Sequence, residues 1–130
     1  MVNIVVVSHS RQIALGLKEL LDQLASGGVR VYASGGAGDG GLGTDVPALA
    51  GTITDAAGNG DALIIPDIGS SVLGAFAALE LVEDSVKART AVADAPLVEG
   101  AVAATVQASV GADLDDVRRA AEEARTIRKI

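Results

Sequence analysis

The sequence contains no cysteine among its 130 residues, which excludes disulfide bonds, thiol catalysis and thiolate metal sites together. Aromatic side chains are nearly as scarce, since Tyr32 and Phe76 are the only aromatic residues in the chain. Valine, alanine, isoleucine and leucine must therefore fill the core. No apolar run approaches the roughly 18 residues that a membrane-spanning helix needs, and no basic segment precedes the first apolar run. We expect a soluble, cytoplasmic protein whose fold depends on packing alone.

Positive charge is also in short supply. The chain has 10 lysines and arginines against 17 aspartates and glutamates, a formal net charge of −7. Nucleic acid is bound through a lysine- and arginine-rich surface that neutralises phosphates, so this charge argues against a nucleic-acid partner. A membrane surface is not expected as a partner either. The length corresponds to a single domain over residues 1–130.

Histidine occurs once, and its position gives the first indication of chemistry. His9 lies near the end of the stretch Asn3–Arg11, in which 5–7 is a continuous run of valines. Such a run suits a strand buried on both faces of a parallel sheet. Apolar residues then recur at three- and four-residue steps over 13–24, which predicts a helix. His9 therefore occupies a strand-to-helix turn, at the sheet edge where open α/β folds bind ligands.

The rest of the chain alternates between strand and helix patterns. Strands are predicted over 29–33, 62–65 and 88–93. Helices are predicted through Val46, Leu49 and Ile53, from Gly69 with Val72, Phe76 and Leu79 on its apolar face, around Val98 to Thr105, and from an Asp113 cap through Val117 to Ile127. The resulting order predicts an α/β fold, a doubly wound, mostly parallel sheet of about four strands with helices on both faces. The segment 34–43 has six glycines in ten residues and is predicted to be a mobile surface loop.

A second group of residues is expected to meet His9. If the first strand lies in the middle of the sheet, its end adjoins the end of the third strand and brings Asp67 to His9. A carboxylate that accepts a hydrogen bond from one ring N–H fixes the tautomer and leaves the other nitrogen as a nucleophile. The backbone N–H groups of Gly69, Ser70 and Ser71 open a helix, and a helix N-terminus is an anion site. Together these features suggest a phosphohistidine, with ordinary turn and cap chemistry as the alternative.

Several short segments carry a resemblance to a known family. They are Val-Ser-His-Ser at 7–10, Gly-Thr-Asp at 43–45, Asp-Ile-Gly-Ser at 67–70, Ala-Leu-Glu-Leu at 78–81, Ala-Pro-Leu-Val-Glu-Gly at 95–100, and Ala-Ala-Thr-Val at 103–106 leading to Gly-Ala-Asp at 111–113. On these segments the sequence resembles the phosphotransfer subunits of phosphoenolpyruvate-dependent dihydroxyacetone kinases, relatives of the mannose-type IIA domains of the sugar phosphotransferase system.

The resemblance implies a function and its partners. His9 would accept a phosphoryl group from the carrier protein HPr and pass it to ADP held in the nucleotide-binding subunit of the kinase. The regenerated ATP would phosphorylate dihydroxyacetone in the partner subunit that binds it. The chain itself is then expected to bind no cofactor and no metal. Some relatives carry fused carrier and enzyme I-like domains, which this sequence does not show, so separate proteins are expected to supply them.

The same resemblance assigns roles to individual residues. Asp67 would orient the imidazole, and the amides near Ser70 and Ser71 would hold the phosphate. Thr44 and Asp45 match the loop that lies beside the site in the family. Subunits of this type are commonly homodimers, so a homodimer is expected here.

Two other functions remain open at this point. The Ser-His-Ser-Arg segment at 8–11 also looks like the opening of small sirohydrochlorin-type chelatases, although such an enzyme is expected to bring more than one histidine. A non-catalytic regulatory binding module is the second alternative, with His9 structural and the acidic surface as a docking face. Hydrolysis by Ser8 or Ser10 ranks below both, since neither serine sits in a nucleophile-elbow sequence.

Overall fold

A computed structural model describes all residues from 1 to 130. Strands and helices follow one another as β1 (Val2–Ser8), α1 (Arg11–Leu24), β2 (Val31–Gly35), α2 (Val46–Ala56), β3 (Asp61–Pro66), α3 (Gly69–Leu79), α4 (Asp84–Lys87), β4 (Thr90–Val92), α5 (Leu97–Ser109) and α6 (Leu114–Glu123). A short 3₁₀ turn over Ala124–Thr126 follows α6. The α4 helix was not predicted from the sequence, and the other elements are the expected ones. None of the helices is both long enough and apolar enough to span a bilayer.

The four strands form one sheet in the spatial order β2-β1-β3-β4, and every neighbouring pair is parallel. The chain leaves β1 towards β2 on one side and then returns to place β3 on the other side. In a doubly wound sheet this reversal opens a crevice at the carboxyl ends of the two diverging strands. The predicted fold and the central position of β1 are thereby confirmed, and the crevice lies between the ends of β1 and β3.

Alternate residues of β1 pack into two separate cores, one on each face of the sheet. Val2, Ile4 and Val6 face α1, α5 and α6, whereas Val5 and Val7 face α2, α3 and α4. All seven residues of β1 are buried. A strand covered on both faces has no polar face to display, which accounts for the continuous apolar run over residues 4–7.

The glycine-rich segment is partly ordered by the sheet. The β2 strand begins two residues later than predicted, at Val31, and runs on to Gly35, inside the predicted loop. Beyond it, Gly36 forms an isolated parallel bridge with Thr44, and the Ala37 N–H donates to the Gly41 carbonyl at 2.8 Å. The segment therefore returns to the carboxyl edge of the sheet beside β1. Its mobility stays a prediction.

The buried face of α3 differs from the predicted one. Of the expected apolar positions only Leu79 is buried, while Val72 and Phe76 are exposed, Phe76 by 54%. The buried face consists of small residues with Leu79 at its end, namely Ser71, Gly74, Ala75, Ala78 and Leu79. Small side chains let α3 approach the sheet and the Thr44 loop closely, which hydrophobic spacing alone does not reveal.

The predicted last helix is shorter than expected. It ends at Glu123, so Ile127 lies outside it and is exposed. The cap at Asp113 is confirmed, since its side chain accepts a hydrogen bond from the Asp116 N–H at 2.9 Å.

Candidate functional site

His9 and Asp67 are brought together by the pairing of β1 with β3. The β1 strand ends at Ser8 and α1 begins at Arg11, so His9 stands in a two-residue turn. Directly after β3, the Asp67 N–H donates to the Val7 carbonyl at 2.9 Å and extends the ladder by one bond. This bond sets the Asp67 carboxylate beside the imidazole, with Asp67 Oδ1 3.0 Å from His9 Nδ1. The predicted proximity of the two side chains is confirmed.

The Asp67 carboxylate accepts hydrogen bonds on both oxygens. Oδ2 accepts from the Ser8 hydroxyl at 2.8 Å and from the His9 N–H at 3.1 Å. Oδ1 accepts from the Ser71 hydroxyl at 2.6 Å and from the Ile68 N–H at 2.7 Å. Four donors in addition to the imidazole therefore hold one carboxylate in place.

These donors determine the charge of Asp67. Partial burial on its own raises the pKa of the Asp67 carboxyl, because it removes water from the charged form. The hydrogen bonds from the Ser71 hydroxyl, the Ile68 N–H, the Ser8 hydroxyl and the His9 N–H act in the opposite direction and outweigh it. The pKa of Asp67 lies well below its usual range, so the group is a carboxylate at neutral pH.

A carboxylate in this position fixes the tautomer of His9. An ionised carboxylate only accepts hydrogen bonds, so the proton between Asp67 and the ring resides on Nδ1. The Ser71 oxygen lies 3.0 Å from Nδ1, and since Ser71 gives its own proton to Asp67, it also accepts there. The remaining nitrogen, Nε2, carries a lone pair and is hydrogen-bonded to the Ser70 hydroxyl. The imidazole side chain is 23% exposed, so Nε2 is a nucleophile within reach of solvent or a partner.

The first turn of α3, where the anion site is predicted, lies beside His9. Ile68 stands at the N-cap and makes no side-chain cap bond, which leaves the positive end of the helix dipole beside His9. The Ser71 N–H, however, already donates to the Ile68 carbonyl at 2.8 Å. Ser70 lies next to Nε2, and Gly69 is the other first-turn residue of the predicted anion site. Ser71 acts mainly through its hydroxyl, on Asp67.

Thr44 and Asp45 follow Gly43, which contacts the His9 turn, and the two residues have different surroundings. The Gly43 N–H donates to the His9 carbonyl at 3.0 Å, so the loop runs directly beside the turn. Asp45 caps α2, since its side chain accepts from the Ala48 N–H at 3.1 Å. The Thr44 hydroxyl is buried and has no hydrogen-bond partner.

Sequence reasoning missed the contribution of Ser8. Its hydroxyl donates to Asp67 and accepts from the Ser10 N–H at 3.0 Å, while Ser10 caps α1 through the Ile13 N–H at 3.3 Å. The two serines therefore fix the turn that presents His9. The Ser-His-Ser pattern was the available signal, but the role of Ser8 depends on the position of Asp67, which comes from a distant part of the chain.

The chelatase alternative gains no support from the side-chain geometry. No group of three or more histidine, cysteine, aspartate or glutamate side chains is arranged to hold a metal ion. His9 is the only histidine, and its Nδ1 is engaged with Asp67.

A family model and several known proteins match this sequence. A sequence model of the family described as "PTS system fructose IIA component" matches residues 3–118. A relative from Listeria innocua, described as the phosphoryl donor subunit DhaM of PEP-dependent dihydroxyacetone kinase 2, is 43% identical over 85% of this chain and 88% of its own length. The Escherichia coli phosphoryl donor subunit DhaM is 40% identical over 90% of this chain, which spans only 25% of that longer protein.

A Lactococcus lactis relative and one solved structure extend the comparison. The former, described as the phosphotransferase subunit DhaM of a PTS-dependent dihydroxyacetone kinase, is 30% identical over 92% of this chain and 93% of its own length. A crystal structure of a protein of unknown function superimposes with a TM-score of 0.84 and 36% identity, covering 94% of this chain and 93% of that one.

Proposed function

The chain belongs to the family of PTS fructose IIA components, and we propose on this premise that it is the phosphoryl donor subunit of a dihydroxyacetone kinase, with His9 as the phosphorylated residue. The family membership and the relatives named DhaM support a phosphotransfer role. The observation that carries the choice of residue is the 3.0 Å contact between His9 Nδ1 and the Asp67 carboxylate, which leaves Nε2 as the nucleophile. His9 is the only histidine in the chain.

The proposed reaction has two transfers through one nitrogen. The Nε2 lone pair attacks the phosphorus of the donor, the bond from phosphorus to the donor breaks, and a phosphorus–nitrogen bond forms on His9. In the second transfer an acceptor oxygen attacks the same phosphorus, and the electron pair of the phosphorus–nitrogen bond returns to Nε2. Positive charge develops on the ring while Nε2 bears the phosphoryl group. Asp67 offsets this charge through its hydrogen bond to Nδ1–H, as the aspartate of a catalytic triad does.

The donor and acceptors follow from the same proposal. HPr is the proposed phosphoryl donor, and ADP in the nucleotide-binding kinase subunit is the proposed acceptor. The ATP formed there serves the subunit that binds dihydroxyacetone. Since the nucleotide belongs to the partner subunit, this chain is proposed to need no cofactor of its own. We also predict a cytoplasmic location, a single domain over 1–130 and a homodimer.

An apolar rim around His9 supports docking of a protein donor. We define the rim as Leu42, Ile68, Leu73 and Phe76, all of which are exposed. Leu42 precedes the glycine that bonds to the His9 carbonyl, and Ile68 follows Asp67 directly. A cleft of about 160 Å³ between the ends of β3 and β4 is lined by Phe76 and Asp67. Exposed apolar groups clustered at one site are typical of protein contact surfaces.

The experiment that tests the proposal is phosphorylation by purified components. We expect wild-type protein incubated with phosphoenolpyruvate, enzyme I and HPr to gain one acid-labile phosphate, seen as a mass increase by intact mass spectrometry. His9→Ala should gain none while keeping its helical circular dichroism, because His9 stands in a turn outside both cores. Absence of phosphate on the wild type, with both accessory proteins active on another substrate, would refute the proposed function.

A further inference from the structure

Two buried side-chain oxygens have no hydrogen-bond partner, Thr44 Oγ1 and Thr105 Oγ1. Buried hydroxyls are normally paired, because an unpaired polar group loses its bonds to water and receives nothing in return. Thr105 lies within α5 and is fully buried. Thr44 lies in the loop that contacts the His9 turn. An unpaired buried hydroxyl therefore occurs once in the loop beside the site and once in the structural helix α5.

The loop that carries Thr44 is fixed on two sides. Towards β1, the Gly43 N–H donates to the His9 carbonyl at 3.0 Å, and Thr44 bridges to Gly36. Towards α3, the Thr44 methyl packs on Gly74, where an added Cβ would come within 2.8 Å of Thr44 Cγ2. Thr44 is thereby held between the turn that presents His9 and the first half of α3.

The other hydroxyl donors around Asp67 are already committed. A serine hydroxyl has one proton, and Ser8 and Ser71 both donate theirs to Asp67. The Ser71 N–H is engaged with the Ile68 carbonyl. A phosphoryl group on Nε2 brings anionic oxygens that need donors. The Ser70 hydroxyl, bonded to Nε2 in the unphosphorylated protein, becomes one such donor on the α3 side. On the loop side, the buried hydroxyl without a partner belongs to Thr44.

We propose that the Thr44 hydroxyl donates a hydrogen bond to a non-bridging oxygen of the phosphoryl group carried by His9, an inference that rests on the proposed function. The hydroxyl is unpaired in the unphosphorylated protein, and the arriving group supplies its acceptor. A hydrogen bond to an anionic oxygen is stronger than one between neutral groups, so Thr44 favours the phosphorylated form. Gly74 is a positioning residue, because a side chain there displaces Thr44.

The test compares Thr44→Val with the matched control Thr105→Val. Both substitutions remove an unpaired buried hydroxyl and keep the shape of the side chain, so both should raise the Tm of the unphosphorylated protein. Only Thr44→Val should lower the phosphorylated fraction at equilibrium with phospho-HPr, by about tenfold in the equilibrium constant. Thr44→Ser keeps the hydroxyl and should restore most of this constant. Thr44→Ala, which needs no additional space, should show the same loss as Thr44→Val.

The outcomes separate this inference from the function on which it rests. If wild type and both Thr44→Val and Thr44→Ala reach the same phosphorylated fraction, Thr44 is structural and the inference is overturned. If the two threonine-to-valine variants lower the fraction equally, the effect is general and the inference is also overturned. If the wild type itself is never phosphorylated, the proposed function fails and the role of Thr44 fails with it.

Discussion

Among single residues, Asp67 makes the most interactions at the site. Its carboxylate accepts hydrogen bonds from four donors in addition to the imidazole and stays ionised while partly buried. Three of those donors are the Ser8 hydroxyl, the His9 N–H and the Ile68 N–H. Ser8 precedes His9 in the sequence, and Ile68 follows Asp67. The carboxylate therefore joins the end of β1 to the start of α3. Its negative charge therefore acts on the imidazole and also contributes to the stability of the fold.

Replacement of Asp67 by asparagine should alter both catalysis and acid stability. Asp67→Asn removes the charge that stabilises the protonated or phosphorylated ring, so phosphotransfer should slow by about 10²-fold or more without vanishing. The folded-state pKa of Asp67 is lowered from an ordinary value of 3.8. Its stabilising contribution is therefore complete above pH 3.8 and is lost as the pH falls through that value towards the folded-state pKa.

The two effects are measured separately. Single-turnover phosphotransfer rates test the first, and urea denaturation of wild type and Asp67→Asn at pH 7 and pH 3 tests the second. The free energy of unfolding should differ more between the two proteins at pH 7 than at pH 3. A constant difference across this range would mean that the carboxylate charge does not contribute to stability.

At the scale of elements, α3 presents two faces with different tasks. Its buried face is made of small residues that permit close packing, whereas Val72, Leu73 and Phe76 point away from the core and are exposed. Because the N-terminus of α3 lies at His9, its exposed apolar side chains form part of the surface on which we propose that the phosphoryl donor docks. The buried face of α3 thus packs against the rest of the protein, and its exposed face carries apolar side chains near the site.

Leu73→Ser tests this assignment against Val110→Ser. Both side chains are exposed, by 73% and 75%, so neither substitution should change stability appreciably. Val110 directly follows α5 at the amino edge of the sheet, where Ser109 Oγ accepts from the Ser26 N–H at 3.0 Å just beyond α1. Leu73→Ser should raise the KM for phospho-HPr several-fold with little change in kcat, and Val110→Ser should leave both constants unchanged. Equal kinetics for the two variants would remove Leu73 from the donor surface.

The elements that could be predicted are those whose signal is local. The valine run of β1 and the glycine and proline boundaries predict the order of strands and helices along the chain. They predict the meeting of His9 with Asp67 only on the condition that β1 is central in the sheet, as the structure has it. The buried face of α3 could not be predicted, because Gly74 is buried against Thr44 from a distant loop, and Ala75 is a small residue that joins the core formed with β1, α2 and β3. The two donors that Ser8 and His9 supply to Asp67, and the unpaired Thr44 hydroxyl, likewise depend on contacts between segments far apart in sequence.

At the scale of the whole molecule, parallel pairing gathers the site on one edge of the sheet. All four strands point the same way, so the turn with His9, Asp67, the Thr44 loop and the N-terminus of α3 all lie at their carboxyl ends. The opposite edge carries the ends of α1 and α5. A single nucleophilic nitrogen at one edge is open to one protein at a time.

Donor and acceptor should therefore compete for the same surface. We expect the ADP-free nucleotide-binding subunit, which cannot accept a phosphoryl group, to raise the apparent KM for phospho-HPr in phosphorylation of His9 while leaving kcat unchanged. The physical reason is that both proteins must approach Nε2 across the apolar rim, so occupancy by one excludes the other. Initial rates measured over a matrix of the two protein concentrations distinguish the possibilities. A fall in kcat at constant KM would instead indicate that the two proteins bind together, with the acceptor on a second surface of the chain.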